Sequence, residues 1–315
     1  MSRRVHSRIL RPVGLVSALA LGLVAPLALP ASAAQSDRGG ERRVFGPVEG
    51  DTLSVMSFNL KFASPVGPNS WRKRRPVMAE LLRAELPAVL GTQEGLHRQL
   101  LDIEHDLPDH YDWVGEGRAG GTADEHCAIF FDTRRLSAVD SGNFWLSDTP
   151  DVPGSRSWGN TTVRMATWVR LRDRRTGTEL AVLNTHLDNV SETSRVRSAE
   201  LIRDRLNAIP AGLPVIVTGD FNAVAGRSAA YSTLVEGARL TDTWIAAAEH
   251  RGPLFATWHG YHPLTPDGPR IDWMFVRGDL AVAAAGVNTY SRDGQFPSDH
   301  LPIQALLTPR VDRLS

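Results

Sequence analysis

Val215-Ile216-Val217-Thr218-Gly219-Asp220-Phe221-Asn222 decides how this chain is read. A continuous apolar run closed by Gly-Asp-Phe-Asn has the form of a strand buried on both faces that stops at a turn. Such a strand needs neighbours on both edges and cover above and below. Working outward, similar runs recur at 52–58, 88–93, 127–131, 136–139, 271–276 and 303–307. Segments 165–171 and 180–184 flank Arg174-Arg175-Thr176-Gly177 and predict a hairpin. Helical spacing is confined to a few stretches. Over 71–85, Val77, Leu81 and Leu82 share one side, and over 194–209 Ala199, Ile202 and Leu206 do the same. Many strands and few long helices predict sheets packed on each other with helices outside.

The strand ends carry polar residues of one chemical kind. Asn59 follows the first strand and Gln93-Glu94 the second; Asn184, His186 and Asp188 end the hairpin. Asp220 and Asn222 close the opening stretch, Asp272 lies in Ile271-Asp272-Trp273, and Asp299-His300 precedes the last strand. One Asp at a strand end is usually a turn former. Their recurrence after apolar strands points instead to a shared site. A hard cation such as Mg²⁺ takes oxygen ligands and keeps room for water and phosphate, which suits Glu94 with Asn59 and Asp299. A histidine oriented by a carboxylate can move a proton, and His300 with Asp272 is such a pair. Asn and His donors such as Asn184 suit an anionic substrate.

These motifs, Met56-Ser57-Phe58-Asn59, Gln93-Glu94, Asn184-Thr185-His186-Leu187-Asp188, Gly219-Asp220-Phe221-Asn222, Arg270-Ile271-Asp272 and Ser298-Asp299-His300, together resemble the endonuclease/exonuclease/phosphatase superfamily. The resemblance spans about residues 52–308. It implies an α+β fold, a four-layer α/β/β/α sandwich with two central mixed sheets flanked by helices. It implies phosphoester hydrolysis with Mg²⁺ or Mn²⁺ held chiefly by Glu94, with Asn59 and Asp299 beside it. Asp220 and Asn222 would contact the attacking water and the phosphate, and His300, paired with Asp272, would be the key histidine. His186 matches a second active-site histidine, with Glu125 as its partner, and Arg164 a phosphate-contacting arginine. Lys61 departs from the pattern, because abasic-site endonucleases carry an acid there; this counts against that activity.

The rest of the chain frames the reading. Residues 1–11 hold Arg3, Arg4, Arg8 and Arg11 without an acid, an apolar run follows, and Pro30-Ala31-Ser32-Ala33-Ala34 ends it. This predicts a secretory signal peptide over 1–34 and export. Residues 35–50 read as a linker and 51–310 as one domain. With 315 residues the chain can bury a core without disulfides, and its lone Cys127 reads as a small buried hydrophobe. Lys+Arg and Asp+Glu are equal at 35 each, so no basic excess favours a long nucleic acid. The loop 260–269 is polar and proline-rich, so it offers no apolar hairpin for a phospholipid surface. Nucleic acid, phospholipid head group and sugar or inositol phosphate all remain as substrates. No stable protein partner is implied, and a monomer is expected. The aromatics around Trp145 and Trp158 read either as a stacking surface for a base or a sugar or as loop anchors packing on the sheet. A non-catalytic binding module on the same fold is disfavoured, since the metal glutamate and catalytic histidine positions are both filled.

Overall fold

Each apolar run becomes a strand, and its alternation sorts side chains between two cores. The computed structural model describes residues 43–309. In chain order the elements are β1 (Leu53–Asn59), α1 (Trp71–Glu85), β2 (Val89–Gln93), β3 (Gly95–Leu96), α2 (His97–Asp106), β4 (Tyr111–Val114), β5 (Glu125–His126), β6 (Ile129–Asp132), β7 (Leu136–Trp145), β8 (Met165–Asp173) and β9 (Glu179–His186). Then come α3 (Glu192–Asn207), β10 (Val215–Asp220), α4 (Ala229–Ser232), β11 (Thr241–Asp242), α5 (Thr243–Ala246), β12 (Glu249–Arg251), β13 (Asp272–Arg277), β14 (Leu280–Val287) and β15 (Ile303–Pro309).

The strands form a seven-stranded sheet, β12-β14-β15-β1-β2-β6-β4, and a six-stranded sheet, β11-β13-β10-β9-β8-β7. Both are mixed. β1 runs parallel to β2 and antiparallel to β15, while β10 runs parallel to β9 and antiparallel to β13. A parallel pair needs a long crossover, and α1 and α3 supply one in each sheet. The period of two then does the layering. Val55, Val89, Ile216 and Met274 meet between the sheets, Met56, Phe58 and Leu90 pack outward under α1 and α2, and Val215 and Val217 pack outward under α3. This is the expected α+β sandwich.

The hairpin of β8 and β9 lies where the sequence places it. The segment read as a short strand over 136–139 runs on to Trp145, with a register shift between Ala138 and Asp140. Helix α2 and strand β14 were not foreseen. Within the linker expected over 35–50, the backbone N–H groups of Val44, Phe45 and Gly46 donate to the Glu85 carboxylate, and residues 35–42 lie outside the described residues. The predicted signal peptide lies outside the described residues. Among the described residues no helix is long and apolar enough to cross a membrane.

Candidate active site

The two parallel pairs end side by side. Asn59 closes β1 opposite Gln93 of β2, and Asp220 closes β10 opposite both His186 of β9 and Asp272 of β13. Carboxyl ends of parallel strands are where such sheets collect ligands. The residues just past the strands leave extended geometry abruptly: Glu94 has φ 62° and Asn222 φ 48°, left-handed values that are uncommon for non-glycine residues.

Asn59 links the sheets. Its Nδ2 donates to Glu94 Oε1 at 3.0 Å and to Asp220 Oδ2 at 2.9 Å. Glu94 Oε2 accepts from the Phe62 backbone N–H at 3.1 Å. Asp220 Oδ1 accepts from the Asn222 N–H at 2.9 Å, while Oδ2 lies 3.5 Å from His186 Nε2 and 3.7 Å from His300 Nε2. His300 Nδ1 sits 3.0 Å from Asp272 Oδ2. The Asp272 backbone N–H is taken by the Thr257 hydroxyl at 3.1 Å.

Burial and neighbours set the charges. Burial and the Asp272 charge push Asp220 up to about 7, against the pull of His300. Burial opposes a charge on His300, but Asp272 and Asp220 outweigh it and raise the ring to about 10. The two carboxylates therefore favour the imidazolium form of His300. His186 goes the other way: burial, with Arg164 nearby, holds it well below the ordinary value, so it is neutral. Its Nε2 faces the Asn222 amide at 3.0 Å and accepts, which leaves the proton on Nδ1.

Glu94, Asp220 and His300 bring donor atoms within 4.8 Å of one another, a cluster able to hold a divalent cation. The donor set fits such an ion. The Glu94 and Asp220 carboxylates converge on one amide, with no Lys or Arg among the described residues in an ion pair with either, and hard cations prefer oxygen. Asn59 and Asp299, expected as ligands, are otherwise engaged: Asn59 Oδ1 accepts from the Lys61 N–H at 2.9 Å, and Asp299 pairs with Lys61 Nζ at 2.8 Å. Lys61 thus occupies the position of the missing acid and neutralises the aspartate beside the histidine.

Two further expectations are corrected. Asn184 is not a substrate contact. It is fully buried between the sheets, its Nδ2 donating to the Thr92 and Ala128 carbonyls and its Oδ1 accepting from Gln93 Nε2 and Thr218 Oγ1. Its neighbour Gly91 has room for nothing more, since a Cβ there would lie 2.2 Å from Thr218 Oγ1. Glu125 is not paired with His186; it accepts from Arg118 Nη1 at 2.7 Å, and burial raises it to about 7. Both still line one small cavity with Glu94, Arg118 and Arg164. Arg164 is 5% exposed and its Nε has no hydrogen-bond partner among the described residues; Asp188 Oδ2 lies 3.9 Å away. Trp145 is buried and bonded to the Arg118 carbonyl, and Trp158 is bonded to Asp148, so both act as anchors. Cys127 is free and buried, its thiol pushed up to about 12 by burial.

The four layers and the carboxylate–histidine cluster at their common edge define a metal-dependent phosphoester hydrolase. The chain belongs to the Endonuclease/Exonuclease/phosphatase family, whose model matches residues 56–300. It is similar to an endonuclease/exonuclease/phosphatase family protein of Bacteroides thetaiotaomicron, with 33% identity over 81% of this chain and 97% of that one, at TM-score 0.75. It is equally similar to a mannosyl-6-phosphatase of Bacteroides thetaiotaomicron, with 34% identity over 81% and 99% of the two chains, at TM-score 0.75. The human Nocturnin catalytic domain shares the fold at 21% identity, covering 82% and 95%, at TM-score 0.64. No curated protein sequence is significantly similar to the chain.

Proposed function

We propose that this protein is an exported phosphatase that removes phosphate from small sugar phosphates. The observation that carries the substrate is its 34% identity over nearly the whole length of a mannosyl-6-phosphatase. The balanced charge supports it, because no basic excess is present for a nucleic-acid track. Export rests on the basic and apolar segments at 1–34, and the mass of the mature N-terminus after expression in a secreting host tests it.

Glu94, with Asp220 beside it, would hold Mg²⁺ or Mn²⁺, which would supply a Lewis acid to polarise a phosphoryl oxygen and take up charge as the ester breaks. Asp220 orients the attacking water and accepts its proton. The charged His300, fixed by Asp272, faces the negative charge that develops on the phosphate. Asn222 donates to the Leu187 carbonyl and to Nε2 of neutral His186, which keeps that ring beside Asp220. Arg164, whose Nε makes no hydrogen bond among the described residues and lies 3.9 Å from Asp188, adds a cation on the same side. Asn59 orients the two carboxylates, and Asp299 holds Lys61 at the rim.

Hydrolysis of a hexose 6-phosphate is expected to need Mg²⁺ or Mn²⁺ and to stop in EDTA. It should exceed hydrolysis of bis-p-nitrophenyl phosphate, plasmid DNA and sphingomyelin in the same assay. Activity that survives chelation would end the metal reading, and a preference for diesters would end the phosphatase reading.

A further inference from the structure

Trp258 is 54% exposed, an unusual state for the largest apolar side chain in a protein. Its place explains why it matters. Its backbone pairs with His300 in an antiparallel bridge. Residues directly opposite in such a pair project to the same face, with their Cβ atoms about 5 Å apart. His300 points at Asp220 and Asp272, so Trp258 leaves the backbone on the same face as that ring. The turn after it is tied to the same segment. The N–H groups of His259 and Gly260 both donate to the Asp299 carbonyl, at 2.9 and 3.2 Å. The indole rests against Gly260: a Cβ there would lie 3.1 Å from the ring, and φ +56° also favours glycine at this position. One region of the indole thus packs on the turn while more than half of the side chain stays open.

We infer that Trp258 is the stacking shelf of a leaving-group subsite, and that the group it takes is a sugar ring. The inference rests on the phosphatase reading above and adds what the enzyme recognises beyond phosphate. An exposed indole offers a flat apolar face, and a pyranose presents a matching face of C–H bonds. Lys61, whose Nζ lies 5.7 Å from the ring centres of both Phe62 and Tyr261, supplies donors for hydroxyls at the same rim.

The test compares Trp258→Ala and Trp258→Phe with the wild type on mannose 6-phosphate, glycerol 3-phosphate and adenosine 5′-monophosphate. Trp258→Ala is expected to raise KM for mannose 6-phosphate about tenfold with kcat changed little, since stacking on one aromatic ring is typically a binding contribution of that size. KM for glycerol 3-phosphate, which has no ring, should rise much less, and Trp258→Phe should recover most of the loss. An equal loss on the ringed and ringless substrates, or a fall in kcat alone, would overturn the shelf. A loss confined to the nucleotide would overturn the sugar assignment. Calorimetric titration with a non-hydrolysable mannose 6-phosphonate reads binding separately. If the protein hydrolyses none of the monoesters, the phosphatase reading falls, and weaker phosphonate binding by Trp258→Ala still decides the shelf.

Discussion

His300→Ala is expected to lower kcat about a thousandfold, the size of effect that removal of one positioned proton-transfer or charge-stabilising group usually has. The residual activity carries the sharper information. Asp272 and Asp220 favour the imidazolium form of His300, raising the ring to about 10 against its burial. A group already protonated cannot take a proton from water. On the proposed reading the base is Asp220, which burial and Asp272 push up and which the His300 cation holds down. The acid limb of kcat/KM therefore reports Asp220 losing its proton, with activity rising as pH rises. Removing the cation leaves Asp220 harder to ionise, so in His300→Ala the acid limb should move to higher pH. A bound divalent cation lowers the limb in both proteins, so the direction of the difference is the test. If His300 were the base, its loss would abolish the limb. Residual activity that no longer rises with pH would sink the assignment of roles, as would near-native turnover. The corresponding alkaline limb in the wild type marks the imidazolium losing its proton and should disappear from the variant.

The buried strands were legible because burial writes itself locally. Val215-Ile216-Val217 must be covered on both faces wherever it sits, and the chain ends of such strands carry the polar residues that the site collects. Helix α1 was legible to its ends for the same reason, through the stripe of Val77, Leu81 and Leu82. Partnerships were harder. Glu125 reads as a strand-leading acid next to a histidine, but Arg118 reaches it through a turn held by backbone bonds between Gly117, Gly120, Gly121 and Ala123, which no periodicity records. Asn184 sits in a motif rich in functional residues, and only the facing sheet reveals that all its polar atoms are spent on Thr92, Gln93, Ala128 and Thr218. Trp258 lies in a segment without helix or strand pattern, so its tie to His300 exists only in three dimensions. The engagement of Asp299 was hidden for a related reason. Asp299 looks like a free acid in sequence, and the Lys61 ammonium that occupies it comes from the other end of the chain.

The largest loss of stability is expected at Arg74, a residue with no part in the chemistry. It is fully buried, and all of its hydrogen bonds go to backbone carbonyls. Nε donates to Asn69, Nη1 to Leu60 and Pro297, and Nη2 to Lys61 and Phe62, at 2.6–3.0 Å. A buried cation with no carboxylate in contact is costly unless its donors are satisfied and opposite charge lies near. Burial does weaken its hold on the proton, while Tyr261, Asp299 and Glu94 favour the charge. The guanidinium fastens the turn after β1, which carries the Phe62 N–H on Glu94 and the Lys61 ammonium on Asp299, to the segment that leads into Ser298-Asp299-His300. Arg74→Leu orphans these carbonyls and should cost about 3–5 kcal/mol in denaturant unfolding, the range for breaking a buried charged network. Arg74→Lys keeps the charge but has three donors in place of a planar fork, so it should recover less than half of that loss. Its effect on activity should appear first in the metal requirement. The concentration of Mn²⁺ giving half-maximal turnover is expected to rise about tenfold, equivalent to roughly 1.4 kcal/mol, as Glu94 loses its fixed hold on Phe62. An Arg74→Lys protein with wild-type unfolding and wild-type Mn²⁺ dependence would show that the two segments hold their places without the guanidinium.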